Sequence, residues 1–204
     1  MCPAGAAGAA GSEKTPFSES LESAGFERLS TRHGVRVFKH RAAEDIRIAG
    51  EGSFPASPER VRALLLDYER HAGRVPRLRE SRVVRREPGS MLVYQRLDLP
   101  VVSDRDFVLR VRHGTQGPDL WLTYEAEPGD AGVPEVDGVV RVRLHSGSWQ
   151  LRPLRDGQAT FARYQTRIDV AGSMPKWMAR SRAGSDIPGL FRALCRMLDA
   201  GACR

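Results

Sequence analysis

Residues 104–106 read Asp-Arg-Asp, two carboxylates around one guanidinium, just before a run that alternates apolar and basic side chains. Paired acids catalyse hydrolysis when they converge on one substrate atom from opposite sides. Residues two apart on a strand share a face, so Asp104 and Asp106 both point to the polar side, which disfavours acid–base chemistry. Arg105 is expected to pair locally and order the loop, contributing about 1 kcal/mol or less if exposed. The plainer alternative is that this loop merely closes a hairpin.

The other reactive groups form no recognisable machinery. His33, His40, His71, His113 and His145 are scattered without HxxxH spacing or cysteine partners, so no metal is expected. "HSGSW" (145–149) is not the G-x-S-x-G of a hydrolase elbow, and Gly147 is expected to form a bulge. Cys195 and Cys203 lie about 12 Å apart at helical rise, too far for a bridge, so all three cysteines are expected to be free thiols. "GAAGAAG" lies in an Ala/Gly-rich tail over 1–16 that precedes no βαβ unit. Cys2 is open to two readings: an incidental residue of a flexible tail, with a cytoplasmic chain, or a lipoprotein anchor of a periplasmic one whose signal segment was removed.

The 204 residues and 22.6 kDa suit one domain, expected over 17–204. No apolar run approaches the roughly 20 residues that span a bilayer. The net charge of +7 favours anionic surfaces. Nucleic acid is not expected, because Trp121 and Phe161 are too few aromatics to interleave with the basic residues.

The elements that must position these groups follow from periodicity. Residues 18–32 read as a short amphipathic helix broken near Gly25. A hairpin is predicted from 35–41 and 46–54. Ser57 caps a helix with Pro58 at its first position and Val61, Leu64, Leu65 and Tyr68 on its apolar side. Strands are predicted at 78–87, 91–99, 105–114, 119–127, 139–152 and 159–170, an antiparallel meander. A C-terminal helix begins at Pro175, breaks between Gly184 and Pro188, and carries Phe191 and Leu194 on its apolar stripe.

Period-two alternation then assigns faces. Val93, Gln95 and Leu97 are in phase, as are Phe107, Leu109 and Val111, while Leu122 and Tyr124 belong to the next strand. Val140, Val142 and Leu144 are predicted inward with Arg141, Arg143 and His145 outward; Tyr164, Thr166 and Ile168 are inward against Arg163 and Arg167. The sheet would thus have an apolar face and an arginine-bearing face. Under a single helix such a sheet either collapses to a solid core or curves around a void, which periodicity alone does not separate. Six to eight strands span more apolar area than one helix covers, which favours an internal cavity.

The blocks "LLLDYERH" (64–71), "ESRVV" (80–84), "VYQRLDLPVVSDRDFVL" (93–109), "GVVRVRLHSGSWQLRPL" (138–154) and "IDVAGSMPKWM" (168–178), with their spacing, resemble the steroidogenic acute regulatory protein-related lipid-transfer (START) domains, particularly bacterial ones. The resemblance covers roughly residues 30–200. It implies an α+β helix-grip fold, in which a curved antiparallel sheet, an incomplete barrel, is closed by a long C-terminal helix around a sterol, phospholipid or similar molecule. Two departures stand out: Val101 and "HAGRVPRL" replace tryptophans of many bacterial members, and Val111 stands where some bury an arginine. A more apolar interior is therefore expected, its polar contact at Gln95 or, second, Thr166; each has the alternative of bonding only neighbouring backbone.

The expectation is a monomeric, non-enzymatic lipid-binding protein without cofactor. Its ligand would lie among the inward residues named above, with Met174, Trp177 and Met178 at the start of the helix. Val101, Val102, Asp104, Arg105 and Asp106 would form a gate that meets an anionic membrane transiently. The alternative is a helix-grip cyclase or hydrolase acting on a polyketide-like substrate, for which Tyr124 and Tyr164 are the inward ionisable residues.

Overall fold

The computed structural model describes residues 17–41, 45–100, 102–129, 131–169 and 176–198, the last segment from Ser185 onward with its side chains. Ten strands form one sheet: β1 (Phe26–Arg32), β2 (Val35–His40), β3 (Ile46–Phe54), β4 (Leu78–Glu87), β5 (Ser90–Leu97), β6 (Arg105–Gln116), β7 (Asp119–Ala126), β8 (Val140–Arg141), β9 (Leu144–Leu154) and β10 (Ala159–Asp169). The order across it is β1-β2-β3-β10-β9-β7-β6-β5-β4, with β8 on β6. The sheet curves without closing, and α2 (Lys176–Met197) packs on β2 and β3. This is the helix-grip fold.

Helix α1 (Pro58–Leu66) packs on β7, β9 and β10, and Ser57 Oγ accepts from Arg60 N as its cap. Its buried Val61, Leu64 and Leu65 join α2 in the larger of two inner apolar clusters. In that cluster Phe191 stacks on Phe54 (5.3 Å between ring centres, 3° between planes) and tilts against Trp149. The helix can descend this far because β3 offers Gly50 and Gly52. A Cβ at Gly50 would occupy the space of Ile187 Cγ2, and one at Gly52 would lie 3.0 Å from the Phe191 ring.

Three expectations are corrected. Residues 18–32 are not a helix: turns lead to Gly25 at φ +88°, and β1 then pairs with β2. Edge pairing outweighs a short helical pattern with a glycine inside it. Helix α2 does not break between Gly184 and Pro188; it runs unbroken with Pro188 inside. The buried Ile187, Phe191 and Leu194 hold it on the sheet through the backbone bond that proline forfeits. Cys195 is disulfide-bonded, not a free thiol, with its partner outside the described residues. The helix ends at Met197, so helical rise sets no distance beyond it.

The expected strand at 139–152 is also two pieces, and the reason is topological. Strand β7 stops beside Leu109, and β8 takes its place alongside Arg105 and Asp106. The chain must then step around the end of β7 to pair with its other side as β9. That step shifts the phase. Val142 faces the interior, but Leu144, predicted inward, is 37% exposed, while His145 turns in against Phe107 and Tyr124.

Candidate functional site

The Asp-Arg-Asp segment is a structural clamp. Asp104 pairs with Arg96 (2.6 Å) and Arg79 (3.6 Å). Asp106 is buried, and its carboxylate accepts from Arg141 Nε (2.7 Å) and Nη2 (3.0 Å). Arg141 also donates to the carbonyls of Val133 and Pro134, both at 3.2 Å. The clamp folds the 131–141 segment over the outside of the sheet, where Val133 packs with Leu92, Tyr94 and Val108. Arg105 is in phase with Phe107, is buried, and donates to the Ser103 carbonyl; burial pushes its pKa down. Both acids are thus committed to arginines, so the pair has no free base to offer a substrate.

The outer arginine face is likewise paired. Arg110 bonds Glu87 and Glu127 (2.7 Å each), Arg163 bonds Glu51 (2.8 Å), and Arg143 and Arg167 meet Glu135 and Asp45. With Arg141 on Asp106, five arginines of the outer face have carboxylate partners. Their attraction for anions is largely cancelled at short range.

The candidate site is the second inner cluster. Val93, Phe107, Leu109, Val111, Tyr124 and Val142 are buried there, with Leu97, Tyr164 and Ile168 partly buried against them. Leu64, Leu122, Phe191 and Leu194 belong instead to the cluster that α2 fills. Val140 is half-buried beside Arg105 and Val102 half-buried in the preceding loop. Val101 and Met174, and the side chains of Trp177 and Met178, lie outside the described residues. Gln95 donates to Ser81 Oγ (3.3 Å), a side-chain partner rather than backbone.

Polar groups concentrate where β7, β9 and β10 run side by side. Tyr124 Oη lies 2.8 Å from Tyr164 Oη and donates to Thr166 Oγ1 at 3.0 Å; Thr166 donates to the Ser146 carbonyl at 3.3 Å. Burial pushes both phenols up, most of all Tyr124. Gly147 is no bulge, since β9 stays in register with both neighbours. It is the seat of the Tyr124 hydroxyl, for a Cβ there would occupy the space of that oxygen. His145 has a buried Nδ1 with no partner among the described residues, and burial lowers its pKa to about 4. Sequence reasoning missed His145, although Trp149 counted back by twos reaches it. Among the described residues no group of three or more His, Cys, Asp or Glu could hold a metal, and no helix is long and apolar enough to cross a membrane.

An uncharacterised protein of Pseudomonas aeruginosa is 26% identical over 155 residues, 75% of this chain and 71% of that one. A STAR-related lipid transfer protein fragment from Xanthomonas axonopodis superposes with a TM-score of 0.78 at 24% identity, covering 86% of this chain and 99% of that one. The Zhui aromatase/cyclase of a Streptomyces species superposes with a TM-score of 0.53 at 11% identity, covering 75% and 93%. These likenesses show a START-type fold that lipid-transfer proteins and a cyclase share. The model of the family "Polyketide cyclase / dehydrase and lipid transport" matches residues 54–195, and the chain belongs to that family.

Proposed function

We propose that this protein binds and transfers a lipid, taking an apolar molecule onto the inner face of β5, β6 and β7, with α2 and the 100–104 loop as the gate. The observation that carries the reading is the division of the interior. Helix α2 from Ile187 onward packs into one cluster, while Val93, Phe107, Leu109 and Val111 belong to another that borders the tyrosines. Some hundreds of Å² of buried ligand at about 25 cal/mol per Å² supplies several kcal/mol, enough for micromolar binding. The partner membrane would be met transiently and the protein would work as a monomer.

Mass spectrometry of organic extracts from the purified full chain tests this. An apolar molecule recovered in near-stoichiometric amount, and passed from labelled donor to acceptor vesicles, is the expected result. A protein that carries nothing and moves nothing would overturn it. One observation favours a second reading, an enzyme of the cyclase or hydrolase type: His145, kept neutral at pH 7 by burial, touches the Tyr124 ring. Under that reading a polyketide-like probe returns chemically altered, whereas a transfer protein returns its ligand unchanged.

A further inference from the structure

This inference rests on the lipid-binding reading and narrows it to one chemical feature of the ligand. A side-chain hydroxyl carries a single proton, so a chain of hydroxyls has a direction. Thr166 Oγ1 gives its proton to the Ser146 carbonyl and therefore accepts from Tyr124. The proton of Tyr124 is thereby used, so Tyr164 must donate the 2.8 Å bond between the two phenols. All protons in the series Tyr164, Tyr124, Thr166, Ser146 run toward the sheet backbone. Tyr164 Oη thus spends its proton on Tyr124 and keeps lone-pair capacity to accept a further bond. The residue is only partly buried, at the junction of the two inner clusters.

We propose that the interior selects an apolar ligand ending in a hydroxyl group, which donates its proton to Tyr164 Oη, over the same skeleton capped as an ether. An acceptor-only group placed there would set lone pairs against lone pairs away from water, leaving both unsatisfied. A second polar atom lies nearby: Nδ1 of His145, buried and without a partner among the described residues, belongs to a ring 5.1 Å from that of Tyr124 and offers a further contact for a polar head.

The test uses the full chain and two matched probe pairs, dodecan-1-ol with 1-methoxydodecane and cholesterol with its methyl ether. Binding is followed by tryptophan fluorescence, to which Trp149 contributes, its ring 4.7 Å from that of Tyr164. In at least one pair the alcohol is expected to bind about tenfold more tightly than the ether. Tyr164→Phe should erase that ratio by weakening the alcohol alone. Thr166→Val should narrow it from the other side: the Tyr124 proton turns to Tyr164, whose own proton then reaches the ether. A merely structural role would weaken alcohol and ether together. Equal affinities within both pairs, or discrimination that survives in Tyr164→Phe, overturn this inference and leave lipid binding standing. Failure of all four probes to bind overturns both.

Discussion

Replacing Asp106 by asparagine tests whether the buried pair holds the outer layer together. The two side chains are 1% and 4% exposed for Asp106 and Arg141. The substitution keeps the shape but leaves a guanidinium out of water without its counter-charge. Breaking a buried pair this way costs about 3–5 kcal/mol. The carbonyls of Val133 and Pro134 still accept from Arg141, and the amide oxygen can take one further bond, so the lower end, about 3 kcal/mol, is expected. At about 2–4 °C per kcal/mol for a chain of this size, Tm should fall by roughly 6–12 °C. Thermal and urea unfolding followed by circular dichroism read the loss, and hydrogen exchange should find the Val133 segment opened first. Asp106→Leu with Arg141→Leu removes both charges and should recover much of the loss. A decrease below about 1 kcal/mol, the size of an exposed pair, would refute the reasoning.

His145, whose Nδ1 is buried, should make stability depend on acid. Its folded-state pKa of about 4 lies below the ordinary 6.5, so between these values the unfolded chain binds more protons, and stability present above about 6.5 is lost as pH falls toward 4. The gap amounts to roughly 3 kcal/mol, and urea unfolding of His145→Leu from pH 7.5 to 4.5 should be flatter by about that much; His71, lowered in the same direction, stays in both proteins, so an unchanged slope would rule out His145 as the cause. Phe191→Ala removes the ring stacked on Phe54 and packed against Trp149 and should cost about 3–5 kcal/mol in the same assay. A loss under about 1.5 kcal/mol would mean that α2 is anchored elsewhere.

Much of the fold was legible because strand parity is local. Phe107, Leu109 and Val111, then Leu122 and Tyr124, then Tyr164, Thr166 and Ile168, face the interior as their spacing requires. The Ser57-Pro58 start of α1 was equally plain, since a cap bond spans three residues. Reading failed where a local pattern met a distant constraint. Phase was lost between Val142 and Leu144 because the chain has to round the end of β7, which no count along 139–152 can reveal. Residues 26–32 became a strand because β2 offered an edge.

The sequence by itself determined which side chains share a face within each continuous strand and that the sheet would have an apolar side, because alternation follows from backbone geometry alone. Only the tertiary structure decided what the polar groups do. It carried Arg141 to Asp106 and Glu51 to Arg163, turning an apparent basic stripe into paired charge. It also brought Tyr124, Tyr164 and Thr166 from separate strands into one row of hydroxyls. Charge and hydrogen bonding act over a few ångströms of space, and the ladders of the sheet, not the order of residues, set which groups come that close.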